Sequence, residues 1–545
     1  MLTNPLRGWK RAFRIQESHS MITAITLENF RAIREPIRID IAPITLLFGA
    51  NGVGKSAVIK ALHFAGQQLG VERFETFGEE LGEFVDCVHG QTTERDIRIG
   101  VEACYSGPFE DLSFDQVIQE AAATFDLDIG EPSFWDFWDS FGTAAVDIEV
   151  GQRTFHHLQT PHMRTTAGVP AAQFVRSTYA GNSTRGFDRQ VIELHPQRLL
   201  ELMDADQVPA AIRQHVNQWV ESSGVGDASA EDGWVELGWA PGRSFTADSA
   251  LDTSVEVSPP VKALLLTPFH LVRESLYEFL HVGPLRERPP REERTAGDVD
   301  MYDQYRWFTG AAAWDALHHA SVYQRVDDKV PLIERVNEWL ASPERLGLGL
   351  SLRVNTAREV PLEALSALEQ TPNKIGVHNF LEAVSNTPAV SHFEIEDRNR
   401  GIGVQARDHG TGVSQLVPLV VAAHVSYPFD SPLVAIEQPE LHVHPAVQAS
   451  LGDLFVVQRG KTSRRFMVET HSEHLLLRLM RRIRETYEQK LPRPELTLSS
   501  QDVAVYYVEQ RDGTAEVSRL VIDEDGDFRA GWPAGFFAER AEELF

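Results

Sequence analysis

The sequence predicts an α/β fold, a mixed sheet flanked by helices, into which a large and partly helical lobe is inserted. The apolar run 44–48 leads into a glycine-rich turn and then into a pattern typical of an amphipathic helix. Two later apolar runs, 433–436 and 466–468, each end in polar residues, as buried strands of a sheet do. Between Arg98 and Arg153 there are twelve acidic residues and no lysine or arginine, which marks an acidic insertion.

Size and charge exclude several classes of protein. The chain has 545 residues, and its 79 acidic and 51 basic residues give a net charge of −28. Such a surface does not coat nucleic acid or an anionic membrane as a whole, so any such contact needs a local basic patch. Two cysteines cannot build a disulfide framework and suit a reducing compartment. Because no signal-peptide pattern and no apolar run of about eighteen residues is present, we expect a cytoplasmic protein that does not contact the membrane.

The first motif is the glycine-rich turn between the strand 44–48 and the following helix. It fits the pattern G-x-x-x-x-G-K-[ST] at every fixed position. Glycines let backbone N–H groups turn toward phosphate, a lysine reaches the β- and γ-phosphates, and a hydroxyl binds Mg²⁺. We therefore predict ATP and Mg²⁺ as cofactors, with ATP contacts from Gly49, Asn51, Gly52, Gly54, Lys55 and Ser56.

A second set of polar residues follows the later strands. A phosphate-binding loop needs a carboxylate on a neighbouring strand to hold magnesium, and Glu437 ends the run 432–437. Together with Ser56 it forms the predicted metal site. Gln438 and Glu440 follow directly, and His471 lies in the polar cluster after the run 466–468. The segment 408–415 opens a helix-like run whose N-terminus is suited to phosphate, whereas the apolar run 416–422 that follows is typical of a buried strand.

In this order the motifs resemble the ABC-type ATPase heads of the SMC, RecF and OLD-like (overcoming-lysogenization-defect) proteins. The resemblance makes 49–56 the Walker A loop, 408–415 the ABC signature, 433–437 the Walker B strand, 442–445 the D-loop and His471 the switch histidine. Residues 27–31 are similar to the opening of such heads, and 469–474 with 532–537 resemble a bacterial branch of AAA-type ATPases. The match covers 21–105 and 400–545 well and 280–291 weakly. The resemblance thus implies a P-loop ABC-ATPase head interrupted by the lobe.

The resemblance also implies a homodimer, or a higher homo-oligomer, of heads that enclose ATP. Gly412, Ser414 and Gln415 of one head would close over the ATP held by Lys55 of the other. One position departs from the family, because Gln438 stands where a catalytic glutamate usually follows the Walker B carboxylate. An amide cannot accept a proton. Either Glu440 replaces the missing base, or Gln438 only positions water and turnover is slow or absent.

Other clusters have both a functional and a structural interpretation. Arginines at 286–291 and on a predicted helix at 478–482 could contact DNA or form ion pairs; the candidates are Arg286, Arg288, Arg291, Arg478, Arg481 and Arg482. The aromatic cluster 134–138 is more typical of a lobe core, and 523–527 of a hairpin turn. His442 with His444, and His156, His157 and His162, lack partners at metal-binding spacings.

The predicted organisation has five parts. These are an N-terminal extension 1–20, a first head part 21–105, the acidic lobe 106–275, a helical linking part 276–399 and a second head part 400–545. The leading functional hypothesis is an ATP-dependent sensor or motor of bacterial anti-phage defence, with DNA and a separate effector protein, a nuclease or a toxin. Two alternatives are a RecF- or SMC-like DNA-repair or chromosome-maintenance ATPase, and a non-hydrolysing scaffold that ATP locks around an effector.

Overall fold

The described part of the chain divides into two compact units. The computed structural model describes residues 19–92, 94–106, 143–155, 158–170, 172–180, 189–204, 208, 210–223, 234–241, 252–253, 257, 259–289, 291, 293–294, 303–322, 330–358, 360, 362–370, 374–385, 387, 389–425, 432–461 and 464–532. Most of the extension 1–20, the aromatic cluster 134–138, the pair His156–His157 and the tail 533–537 lie outside these residues. The first unit is Met1–Ala42, Leu47–Phe279 and Tyr506–Arg519, and the second is Pro43–Leu46, Leu280–Val505 and Leu520–Phe545.

The strands differ in length between the two units, and the longest belong to the first. In chain order they are β1 (His19–Glu28), β2 (Ile37–Asp40), β3 (Ile44–Gly49), β4 (Ile97–Ser106), β5 (Thr143–Phe155), β6 (Leu158–Val169), β7 (Ala172–Ala180), β8 (Arg189–Leu194), β9 (Val235–Pro241), β10 (Asp252–Thr253), β11 (Leu280–Val282), β12 (Glu293–Arg294), β13 (Leu350–Arg358), β14 (Ala389–Asp397), β15 (Ile402–Gln405), β16 (Leu433–Glu437), β17 (Arg465–Thr470), β18 (Val503–Arg511) and β19 (Thr514–Leu520).

Among the described helices, one follows the glycine-rich loop, others lie within the insertion, and most belong to the second unit. They are α1 (Ser56–Gln68), α2 (Gly78–Leu81), α3 (Phe84–Cys87), α4 (Pro196–Met203), α5 (Ala210–Ser223), α6 (Pro259–Tyr277), α7 (Gln304–Phe308), α8 (Ala311–Val322), α9 (Leu332–Ala341), α10 (Leu362–Gln370), α11 (Lys374–Ser385), α12 (Thr411–His424), α13 (Pro445–Lys461) and α14 (Glu473–Tyr487). Short 3-10 turns lie at Glu72–Phe77, His89–Gln91, Ala406–Asp408, Pro494–Leu496 and Ser500–Asp502. Each described helix is too short or too polar to span a lipid bilayer.

The first unit is built on an antiparallel sheet. Its order within the described residues is β10-β9-β8-β7-β6-β5-β4-β1-β2. Along β1 the buried Ile25 and Leu27 alternate with the more exposed Thr26 and Glu28, as expected of a strand with one face on a core. Helices α1 and α6 pack against β1 and β4. The described part of the predicted lobe, β5 to β10 with α4 to α6, continues this same sheet, and its strands were not foreseen in the sequence.

The second unit contains three parallel strands in the order β11-β16-β17. Leu280 pairs with Val434, and Glu437 at the end of β16 pairs with Glu469 near the end of β17. All five residues of β16 are buried, which explains why its sequence is an unbroken apolar run closed by one acidic residue. Because the carboxyl ends of parallel strands meet at one edge of a sheet, this register gathers the polar residues that follow β16 and β17.

One element was assigned wrongly from the sequence. The apolar run 416–422 was expected to form a strand, but it belongs to helix α12, which has Pro418 inside it. Nearly every residue of α12 from Val413 onward is buried, so the run shows no alternation on which a helical period could be recognised. The 523–527 segment is a turn as predicted, because Ile522 and Phe528 bridge and Asp523 N donates to Asp527 O at 2.8 Å.

Candidate functional site

The glycine-rich loop lies in the first unit between the end of β3 and the start of α1. A Cβ atom on Gly49, whose φ is +152°, would lie 2.1 Å from the carbonyl oxygen of Val508. A Cβ atom on Gly54, whose φ is +105°, would lie 2.5 Å from the Cβ of Ala32 and 3.3 Å from that of Ala515. Both positions therefore require glycine for two reasons, the backbone conformation and the close packing of the loop.

The lysine of this loop is held inside it. Lys55 is buried, and its Nζ donates to Gly49 O at 3.1 Å and to Ala50 O at 2.7 Å. The ammonium group therefore already lies among oxygen acceptors, which phosphate oxygens can replace. Ser56 begins α1 and is half-buried, while Asn51 and Gly52 are exposed at the tip of the loop. The loop thus combines a cation, a hydroxyl and a helix N-terminus, the groups that bind a polyphosphate with its metal.

In the second unit, Glu437 ends β16 and is buried. Its Oε1 lies 3.1 Å from Nε2 of His281, which is fully buried on the neighbouring strand β11. This histidine was missed in the sequence, although a lone histidine within the apolar run 279–282 was a usable signal. The ring fixes the orientation of the carboxylate, as partners of metal-binding carboxylates commonly do. Glu437 therefore offers oxygen atoms of the kind that Mg²⁺ prefers.

The two residues proposed to handle water occupy different environments. Gln438 has φ +44°, and its main-chain N donates to Glu469 O at 2.8 Å. Glu440 accepts hydrogen bonds at both carboxylate oxygens, from Thr470 Oγ1 at 2.8 Å and from His471 N at 2.7 Å. The structure thus brings Glu440 and the start of the predicted switch segment together, as the parallel register requires.

The residues predicted to form the ABC signature are more deeply buried than residues of an exposed loop. Ser414 is buried in the first turn of α12, and its Oγ donates to Thr411 O at 3.0 Å. A Cβ atom on Gly412 would lie 2.8 Å from His442 O, so the start of α12 packs closely on the turn after β16. His444 is used locally, because its Nδ1 accepts from Ala446 N at 3.2 Å at the start of α13.

Gln415, also predicted to contact nucleotide, is engaged with a different residue. Its Oε1 accepts from Arg286 N at 3.0 Å and its Nε2 donates to Arg286 O at 2.6 Å. The side chain of Arg286 in turn donates through Nη2 to Glu437 O at 2.5 Å and to Gln438 O at 3.4 Å. Burial lowers the pKa of Arg286 to about 9, although the nearby Glu440 and Glu437 act to raise it. Arg286 therefore remains cationic at neutral pH.

Six arginines were predicted either to contact DNA or to form ion pairs. The first alternative is wrong for Arg286, which is 4% exposed, and for Arg482, which is 5% exposed, because neither offers its guanidinium to a duplex. Asp453 of α13 accepts hydrogen bonds from the guanidinium groups of Arg478, at 2.5 Å, and Arg482, at 2.7 Å. The helical spacing of those arginines reflects packing between α13 and α14, which the sequence of α14 alone does not reveal.

The three other arginines of the set are exposed but have partners. They are Arg288, which donates to Thr411 Oγ1 at 3.4 Å, Arg291, which lies 3.6 Å from Asp408, and Arg481, which lies 2.6 Å from Glu485. Ion pairs of this exposed kind contribute little stability and do not by themselves indicate a nucleic-acid surface.

The two segments that carry these motifs match models of known protein families. Residues 21–124 match a family described as "AAA ATPase domain", and residues 303–478 match "AAA domain, putative AbiEii toxin, Type IV TA system". Two segments of the chain are thus similar to AAA-type ATPase domains. The predictions of an α/β fold and of a resemblance to ATPases of this kind are confirmed. Residues 498–545 of the chain match a family described as "Protein of unknown function (DUF3696)".

Among solved structures the chain is similar to head domains of SMC proteins. For the Smc head domain from Pyrococcus furiosus, with an extended coiled coil and bound to the C-terminal domain of ScpA, identity is 12% and the TM-score 0.38, over 92% of this chain and 97% of that one. For the SMC head domain from Thermotoga maritima, identity is 11% and the TM-score 0.31, over 91% and 98%. No curated protein matches the sequence.

The packing of the glycine-rich loop gives a testable prediction. In Gly54→Ala the new Cβ atom would overlap the side chain of Ala32, so the loop must move away from its present position. We expect ATP affinity to fall at least about tenfold, the loss of roughly one hydrogen bond, in titration calorimetry. Gly460→Ala is the control, because that Cβ atom would meet no atom within 4 Å. Equal affinities of the two variants would contradict this account of the loop.

Proposed function

We propose that this ATPase binds Mg·ATP and hydrolyses it slowly, with Glu440 in place of the glutamate expected at position 438. The observation that carries the proposal is the fixed carboxylate of Glu440, which accepts one hydrogen bond at each oxygen and keeps lone pairs for a water molecule. Gln438 orients water but accepts no proton, so Glu440 is the base. Lys55 would contact the phosphates, and Ser56 and Glu437 each offer an oxygen ligand to Mg²⁺, which would neutralise charge on the phosphate oxygens.

The orientation of Glu437 and the fit of the loop support a magnesium nucleotide rather than a free anion. Both proposed metal-binding groups offer oxygen, a hydroxyl from Ser56 and a carboxylate from Glu437, which is the ligand type of a hard cation. His281 holds Glu437 by its Oε1, so the carboxylate does not need to reorganise on binding. Glu440 accepts from the main-chain N–H of His471. We propose that the side chain of His471 contacts the transferred phosphate.

The rate of phosphate release tests the assignment of Glu440. We expect Lys55→Ala and Glu437→Gln to reduce turnover at least about 100-fold, since the first removes a cation that stabilises the phosphates and the second removes a proposed carboxylate ligand of Mg²⁺. Glu440→Gln should reduce turnover by about the same factor because it removes the base, whereas Gln438→Ala should have a smaller effect. Glu488→Gln, at an exposed residue of the Lys490 ion pair, is the control. Turnover unchanged in Glu440→Gln would exclude this residue as the base.

We propose that two copies associate through ATP, with Gly412 and Ser414 of one copy facing the nucleotide of the other. A chain with a net charge of −28 repels its own copy, so a bound ligand that joins the two is a plausible means of control. Sedimentation velocity should show a monomer without nucleotide and a dimer with Mg·ATP in the slow Glu440→Gln variant. A dimer of equal strength without nucleotide, or in Lys55→Ala, would contradict ATP-dependent association.

The biological setting that we propose is anti-phage defence with a separate effector protein. The description of the family matched by residues 303–478, which names a putative toxin of a toxin–antitoxin system, supports this setting over DNA repair. The burial of Arg286 and Arg482 excludes DNA contact by those two side chains. Expressed with its neighbouring genes, the wild-type ATPase should reduce phage plaque formation, and Lys55→Ala should not. Equal protection by both would separate defence from nucleotide binding.

A further inference from the structure

A polar cavity lies on one face of the antiparallel sheet of the first unit. Its volume is about 370 Å³, which is in the range of small-molecule sites. Residues that pair directly across strands share a face of the sheet. The register places five lining residues side by side across β1, β4, β5, β6 and β7: Thr26, Gly100, Asp147, Thr166 and Arg176. This row therefore forms part of the wall of the cavity.

The neighbouring row on the same face is a ladder of ion pairs. The register aligns four charged residues that also line the cavity, Glu28, Arg98, Glu149 and Arg164. Arg98 lies 3.2 Å from Glu28 and 3.3 Å from Glu149, and Arg164 lies 3.8 Å from Glu149. Arg176 is paired with Glu193 at 2.6 Å. Each arginine that lines the cavity thus has a carboxylate partner, which disfavours an anionic ligand.

Asp147 differs from the other carboxylates of the cavity. Its Oδ2 accepts from the side-chain amide of Gln173, and no lysine or arginine among the described residues pairs with it. Burial raises the pKa of Asp147, the bond from Gln173 lowers it, and the charge of Glu102 raises it. Asp147 nevertheless keeps accessible surface, so a ligand can reach it. A cation bound beside this carboxylate would offset the unfavourable surroundings of its charged form.

Two oxygen atoms converge over Gly100. A Cβ atom on this glycine would lie 2.2 Å from Asp147 Oδ1 and 2.3 Å from Thr26 Oγ1, so only glycine leaves room for both. In the described part of the chain, Thr26 Oγ1 has no hydrogen-bond partner, and it is therefore not bonded to Asp147. Thr166, which pairs with Asp147 on β6, adds a hydroxyl to the same face. A charged and a neutral oxygen are thus directed to one point without a donor between them.

These acceptors select one type of cation. A guanidinium prefers both oxygens of a carboxylate, but Gln173 already occupies Oδ2 of Asp147. The described residues contain no group of three acidic, histidine or cysteine side chains that could hold a metal ion. An ammonium group is a compact charge with three donors, which can be shared between separate oxygen atoms. The convergence of Asp147 Oδ1 and Thr26 Oγ1 fits this group best.

We propose that the cavity binds the primary ammonium group of an aliphatic amine through Asp147 Oδ1 and Thr26 Oγ1. The group is supplied either by a free amine or by the lysine side chain of a bound polypeptide, because both end in the same CH₂–NH₃⁺ group. The inference does not depend on the proposed hydrolysis of ATP, since every residue that it uses belongs to the antiparallel sheet of the first unit.

Saturation-transfer NMR with cadaverine tests the site in the wild type, in Asp147→Asn and in Thr26→Val. We expect a dissociation constant of about a millimolar or lower for the wild type. Asp147→Asn should weaken binding at least about tenfold because it removes the charge, and Thr26→Val about threefold because it removes one acceptor. Glu516→Gln is the control, since it removes an equal charge from an exposed ion pair with Arg511 and should bind as the wild type does.

Two further comparisons use the wild type alone, so they remain valid if a variant does not fold by circular dichroism. Pentan-1-ol has the same carbon chain without a charge and should bind at least about tenfold more weakly than cadaverine. N-acetyl-lysine methylamide carries the ammonium group on a peptide fragment. Binding of this compound at least as tight as that of cadaverine would indicate a lysine side chain as the source, and weaker binding would indicate a free amine.

High salt separates the site from general attraction between a diamine and a chain of net charge −28. Under that condition, equal affinity of cadaverine for the wild type, Asp147→Asn and Glu516→Gln would overturn the proposal. Equal binding of cadaverine and pentan-1-ol to the wild type, or binding of neither amine, would overturn it as well. The row that contains Asp147 would then be only a polar surface of the sheet.

Discussion

The second unit depends on a single constraint, which is that the buried carboxylate at the end of β16 and the half-buried one just after it must each find a donor. Glu437 closes β16 and meets His281 on β11, and Glu440 meets Thr470 and His471 after β17. A buried ionised group without such partners is strongly destabilising. The same bonds that satisfy these groups also set the directions of the carboxylates. Stability and the fixed orientation of the carboxylates therefore have the same cause in this part of the molecule.

Arg286 and Gln415 extend this arrangement to the start of α12. The side-chain amide of Gln415 bonds to both the N–H and the C=O of Arg286, so it fixes the position of the arginine main chain. The guanidinium then reaches the carbonyl groups of Glu437 and Gln438. A displacement of α12 cannot leave the turn after β16 unaffected while these bonds persist. In an ABC-type head this would join the segment expected to face a second copy to the carboxylates expected to act on the nucleotide.

The sequence predicted the glycine-rich loop and the acidic ends of the buried strands because both are local patterns, set by backbone conformation and by unbroken apolar runs. His281 and Arg286 were not assigned these roles, because their partners lie on β16 about 150 residues away and only the parallel pairing brings them together. The same reason explains the error over Arg482, whose partner Asp453 belongs to another helix. The wrong assignment of 416–422 has a different cause. A helix that is buried all round lacks the periodicity by which it is recognised.

Gln438, at the position where the resemblance to ABC-type heads leads us to expect a catalytic glutamate, has a structural role through its main chain. With φ +44° and its N–H bonded to Glu469 O, this residue forms the turn that leads from β16 to Glu440, and these roles do not depend on the side chain. The next carboxylate, that of Glu440, lies two residues onward, where the N–H of His471 holds it. That bond uses the main-chain N–H of residue 471. In this arrangement the carboxylate that we propose to activate water and the segment that follows β17 are joined by a direct hydrogen bond, and movement of one changes the position of the other.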